Sequence, residues 1–231
     1  RAGELTFRSA FVRGLQAVRT NILPGLLLQA VMACFIALYL FHDGTRDFLA
    51  KVGTVRSQMG YAFAVVSYIF SGTLLPEVLR IVFFQKGRIG MGNLWRVVSM
   101  APLWAVLGVV VDCFYRLQGG WFGVGNTWDV VLIKVVVDLL IFSPLIVNPL
   151  VVAYLAWQKE RFQTSPVATI FSWDFLNEKI IPTQIAVWCV WLPGVRLVYS
   201  MPPLLQLPVA VLIQCFWVLI LTTLNESDSR D

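Results

Sequence analysis

Charge is scarce in this 231-residue chain: Asp, Glu, Lys and Arg together make up 13% of it, about half the roughly 25% of an ordinary soluble domain. Histidine occurs once, as His42. A Ser/His/Asp constellation or a His-based metal site therefore cannot be assembled, and the chain is read as no enzyme, with no metal and no cofactor. The four cysteines, Cys34, Cys113, Cys189 and Cys215, stand alone inside apolar stretches with no C-x-x-C spacing. That excludes a zinc ribbon and argues against a disulfide framework. The run Gly120-Trp-Phe-Gly-Val-Gly125 follows an apolar helix rather than a strand, so it does not read as a phosphate loop. No solenoid period, low-complexity tract or heptad seam is present. Arg rather than Met at position 1 fits a trimmed chain or a removed targeting segment.

Apolar residues are abundant instead, at 58% of the sequence with a mean hydropathy of +0.75. A chain this apolar needs a solvent that accepts apolar surface, and the bilayer is the common one. The expected fold is an all-α polytopic transmembrane bundle of five to six spans with an amphipathic N-terminal surface helix. The candidate spans are 22–41, 60–84, 94–115, 130–157, 181–200 and 209–224. The fourth carries Pro144 and Pro149 and is expected to kink where those rings remove backbone donors. The last two are joined by so short and apolar a linker around Pro202 and Pro203 that they could form one broken hairpin.

The basic residues test this layout. Arg1, Arg8, Arg13, Arg19, Lys86, Arg88, Arg96, Lys159, Arg161, Lys179 and Arg230 fall on one side, and only Arg46, Lys51, Arg56 and Arg116 on the other. The asymmetry places both termini on the cytoplasmic or matrix side. Segment 42–59 is a loop in this layout. Ahead of the first span, Phe7, Phe11, Leu15, Val18 and Ile22 fall within an arc of about 80° at 100° per residue, with Arg8, Arg13 and Arg19 outside it. This reads as an interfacial helix whose partners are anionic headgroups. Stretch 167–180 is a weaker candidate for a second one. Trp95, Trp121, Trp128 and Trp157 lie near expected span ends, as an aromatic belt requires. The net charge of +5 is topological, and no nucleic acid is expected.

The residues that bear on function are those charged where charge is expensive. Glu77 and Arg80 are three apart on the second span; Lys134 and Asp138 are four apart on the fourth; Asp112 and Arg196 lie in the third and fifth. Three acids balance three bases. At helical spacing each pair shares a face, so the six can line a water-filled path for small polar solutes or close into buried ion pairs that hold a bundle together. No ring of one sign marks a selective ion filter.

The segment Lys134-Val-Val-Val-Asp138-Leu-Leu-Ile-Phe-Ser-Pro144 resembles the K-x-x-x-D-Q-x-x-x-x-P signature of the Mpv-seventeen/PMP-twenty-two family of small mitochondrial inner-membrane and peroxisomal proteins. Trp191, Pro193, Arg196, Pro203 and Trp217 resemble that family's closing pattern. Arg96, Gly108, Phe114 and Tyr115 sit where it has an Arg followed by G-P-x-x-H-x-W-Y, with Asp112 at the His position; Gly72 and Glu77 match its first motif more loosely. The resemblance covers 60–224. It sets a family-like domain there, apart from a basic segment at 1–21, an extra span and loop at 22–59, and a polar tail at 225–231. It implies a low-selectivity channel for small polar metabolites in an organelle membrane, most simply the mitochondrial inner membrane, with plastid, peroxisomal and bacterial inner membranes as alternatives. Leu139 and Leu207 replace a Gln and an Arg of the family pattern. Those replacements, together with the extra first span, motivate the alternative, a non-catalytic accessory or structural subunit of a larger membrane complex; the protein partners expected are other membrane subunits or further copies of the chain.

Overall fold

The computed structural model describes residues 22–159, 161–163 and 172–225. The expected N-terminal interfacial helix, residues 167–171 of stretch 167–180 and nearly all of the polar tail lie outside them. Among the described residues every regular element is a helix, with no strand. Three helices are long and apolar enough to cross a membrane: Tyr61–Phe84, Met91–Phe122 and Trp128–Lys159. A fourth crossing is added if the bent pair Gly25–Phe41 and Asp43–Met59, which meet at 98°, is one broken span.

Helix α1 (Ile22–Phe41) coincides with the expected first span. It stops at His42, whose extended backbone breaks the helix and whose Nδ1 accepts the Thr45 N–H at 3.1 Å. Helix α2 (Asp43–Met59) follows in place of the expected loop. Its charged outer face, with Asp43, Arg46, Asp47 and Lys51, gives the composition of an aqueous connection. Leu49, Gly53 and Arg56 nevertheless repeat at helical spacing and are buried along one face. Gly60, at φ +56°, ends this helix in a conformation that favours glycine and returns the chain as helix α3 (Tyr61–Phe84).

On α3 the sidedness is that of a lipid-facing helix. Val66, Phe70, Leu74, Val78 and Val82, four residues apart, are exposed, whereas Ala64, Tyr68, Ser71, Thr73 and Glu77 are buried. Helix α4 (Met91–Phe122) packs antiparallel on α3 in the most extensive helix contact of the bundle. Two glycines permit it. A Cβ on Gly108 would lie 2.5 Å from the Ala64 carbonyl oxygen, and one on Gly72 would lie 2.2 Å from the Trp104 ring. Helix α5 (Trp128–Lys159) is 32 residues long, about 48 Å at 1.5 Å per residue. Pro144 is absorbed by a π-helical stretch over Asp138–Val147, whose wider turns accommodate the missing donor, and the helix continues through it.

After a short turn at Trp173–Phe175 and a π turn at Leu176–Ile180, helix α6 (Ile181–Ser200) packs along α5. Met201 and Pro202 then break the chain, and helix α7 (Pro203–Asn225) begins earlier than the expected 209. Helix α7 is the axis of the fold and contacts α1, α2, α3, α4 and α6. Leu205, Gln206, Leu207, Val209 and Ala210 are all buried, so the helix is covered on every side just past its exposed start at Pro203 and Leu204. The core between these helices contains Leu103, Leu107, Phe142, Val198 and Ile213, with Phe114 and Phe142 stacked at 3.7 Å. Trp95, Trp121, Trp128 and Trp157 are exposed near helix ends, as expected of an aromatic belt.

Candidate functional site

Polar side chains gather at two levels of the bundle. The first is where α3 turns into α4. Glu77 accepts three hydrogen bonds from the Arg96 guanidinium at 2.7–3.1 Å and one from Asn93 at 2.5 Å. Asn93 also bonds Gln85 and accepts the Gly90 N–H that opens α4. A cavity of about 540 Å³ opens beside this group, lined by Gln85, Lys86, Arg88 and Asn93 among others.

The second level lies sixteen residues further along α4 from Arg96 to Asp112, about 24 Å at helical rise. Asp112 is completely buried and is held by two arginines. Arg56 of α2 donates to Oδ1 at 2.5 Å, and Arg116, one turn on along α4, donates through Nε to Oδ2 at 2.8 Å. Arg56 also donates to the Pro203 carbonyl at 2.5 Å and so ties α2 to the start of α7. The Arg116 guanidinium lies 5.0 Å from the centre of the Tyr61 ring, within cation–π distance. Beside this triad Tyr115 packs edge-on to Tyr199, whose hydroxyl donates to Asp138 at 2.6 Å and accepts from Gln118 at 2.9 Å. Lys134, one turn before Asp138, is 1% exposed, and no hydrogen bond or ion pair engages it among the described residues. A second cavity, of about 470 Å³, opens at this level between Arg56 and Arg116.

Of the six residues singled out in the sequence, five are on the bundle's inner side and one is not. Arg196 is exposed on α6, its guanidinium 5.7 Å from the Trp128 ring. Neither expected pair closes on itself. Glu77 pairs across the turn with Arg96 rather than with Arg80, and Asp138 is taken by Tyr199 rather than by Lys134. Several buried polar atoms have no hydrogen-bond partner among the described residues: Arg80 Nε, Thr73 Oγ1, Gln118 Oε1 and Gln214 Nε2. No group of His, Cys, Asp or Glu among those residues has the arrangement of a metal site.

Sequence reasoning missed Arg56, Arg116, Gln118 and Tyr199 as interior groups. Arg56 carried a signal, the 49–53–56 spacing that puts it on the apolar face of α2. Arg116 and Gln118 carried another, because α4 runs on to Phe122 and takes both into the helix. The chain matches no family model, and neither curated proteins nor solved structures give a match.

Proposed function

We propose that this protein is a low-selectivity passage for small polar metabolites in an organelle inner membrane, its solutes entering the bundle at the two polar levels. The observation that carries this reading is the uncompensated polarity of the interior. In a bundle built only for packing, a buried ammonium without a partner costs several kcal/mol, on the order of 3–5 where one member of a buried pair is missing. Arg80 Nε, Thr73 Oγ1 and Gln214 Nε2 are buried polar atoms without a partner among the described residues, and Lys134, 1% exposed as a residue, has no ion pair among them. Solvating water or a polar solute would satisfy them. In this reading α1 with α2 as one bent crossing, α6 and α7 complete six spans, with both termini on the matrix side. The resemblance to the Mpv-seventeen/PMP-twenty-two family, with Lys134 and Asp138 at its K-x-x-x-D positions, supports the same class and the mitochondrial inner membrane.

The test is conductance after reconstitution in planar bilayers. Lys134→Met and Asp138→Asn should each change conductance while leaving the helical content intact. A silent wild type, or variants indistinguishable from it, would refute the passage. The closed ion pairs favour a second reading, an accessory subunit in which Glu77–Arg96 and Asp112–Arg56 only brace the helices. Purification in mild detergent separates the two, because an accessory subunit co-migrates with partners in stoichiometric amount and a passage does not require them.

A further inference from the structure

The cavity between Arg56 and Arg116 has a chemistry that its neighbours do not exhaust. Its volume of about 470 Å³ lies within the roughly 300–1,000 Å³ of small-molecule sites. Two guanidiniums face one carboxylate, so the pocket carries a surplus positive charge. Arg56 spends one terminal nitrogen on Asp112 and the other on Pro203. Arg116 bonds Asp112 only through Nε, which leaves both terminal nitrogens without a hydrogen-bond partner among the described residues. Tyr115 lines the same cavity, is nine-tenths buried, and has a hydroxyl with no partner among those residues. Ser57 adds a second hydroxyl. The wall at Gly60 and Gly120 is bare backbone, with open space where a Cβ would stand.

We propose that this cavity binds a phosphate group. The free edge of the Arg116 guanidinium offers a bidentate fork that matches two phosphate oxygens. Tyr115 and Ser57 supply donors for a third oxygen, which a carboxylate ligand does not have. Asp112 is the positioning residue: it holds both guanidiniums while leaving the pocket one net positive charge. Trp121 and Trp128, exposed at adjoining helix ends, place the cavity at headgroup depth. The phosphate is therefore that of an anionic lipid headgroup or of a soluble phosphomonoester. The site stands on the cavity alone, so a protein that binds phosphate and conducts nothing would refute the passage and leave this inference intact.

The experiment uses the purified full chain in phosphatidylcholine nanodiscs. One arm is titrated with glycerol 3-phosphate against sodium chloride of matched ionic strength. The other replaces part of the phosphatidylcholine with phosphatidic acid, whose phosphomonoester keeps the three terminal oxygens that the phosphodiester of phosphatidylcholine lacks, and binding is read as a rise in unfolding temperature and by calorimetry. Saturable stabilisation in the first arm identifies a soluble phosphomonoester; stabilisation in the second arm alone identifies a lipid headgroup. Arg116→Gln should weaken whichever interaction is seen by about tenfold or more, and Arg116→Lys should restore it only in part. Arg116 is half exposed, so its loss should spare the fold. Tyr115→Phe provides an independent variant that keeps the ring against Tyr199 and should weaken binding to a smaller degree. Stabilisation in neither arm, or an affinity unchanged in Arg116→Gln and Tyr115→Phe, would overturn the proposal.

Discussion

Replacing Arg56 with methionine keeps an unbranched apolar stem and removes the guanidinium and its charge. In the native protein the Arg56 side chain is 5% exposed and meets Asp112, which is wholly buried. Stripping one member from a buried pair costs about 3–5 kcal/mol, because the surviving charge has lost its compensation. Arg116 still reaches Asp112 Oδ2, so the cost should fall at the lower bound, about 3 kcal/mol. The second change, Asp112→Leu, removes the stranded carboxylate. Arg116 is then left single but half exposed, where water can solvate it. The double variant Arg56→Met/Asp112→Leu should therefore recover to within about 1 kcal/mol of wild type, as replacement of both members of a buried pair by apolar residues often does. The assay is a double-mutant cycle on unfolding in mixed detergent micelles, with helicity as the signal. Coupling of about 2 kcal/mol or more is expected. Additive effects below about 0.5 kcal/mol would show that Arg56 is solvated and that α2 does not fold back onto the bundle.

Other substitutions probe other joints. Gly108→Val should drive apart α3 and α4, because its Cβ would lie 2.5 Å from the Ala64 carbonyl oxygen; a loss of about 1–3 kcal/mol is expected, read as a lower melting temperature, and a neutral result would contradict the close approach. Tyr199→Phe removes the hydrogen bond to the buried Asp138 carboxylate, its only side-chain partner among the described residues, and the acceptor for Gln118, and should cost about 3 kcal/mol. Asp138→Asn in the same background should recover part of that, measured by the same unfolding assay. Glu77→Gln should cost less, about 1 kcal/mol, because its partner Arg96 is 36% exposed and water screens the loss.

Much of the helix pattern was legible in the apolar runs. Ile22–Phe41 ends where the run meets His42 and Asp43, and the third and fourth spans were centred correctly but too short, because hydropathy falls off before the helix does. Segment 42–59 was illegible to composition: its charges face outward and average away the apolar face at Leu49, Gly53 and Arg56. Pro144 was legible as a disturbance of the donor ladder: a π stretch stands there, and the helix continues through it. At the site, spacing along one helix identified residues on the inner side but not their partners. Partners are fixed by packing between helices, such as the turn that brings Arg96 to Glu77 and the α6 placement that brings Tyr199 to Asp138. Arg196 has the same chemistry as the interior bases, yet it lies exposed against Trp128.

The central claim is that lipid surrounds the apolar outside of this bundle while its polar groups turn inward. Single spin labels at Phe70, Leu74 and Val78, on a background with the native cysteines replaced, test it most directly in reconstituted vesicles through collision with oxygen and with a polar nickel chelate. These positions are exposed along one face of α3, so all three should be accessible to oxygen and shielded from the chelate. Ready collision with the chelate at the same positions would place that face in water and contradict the account.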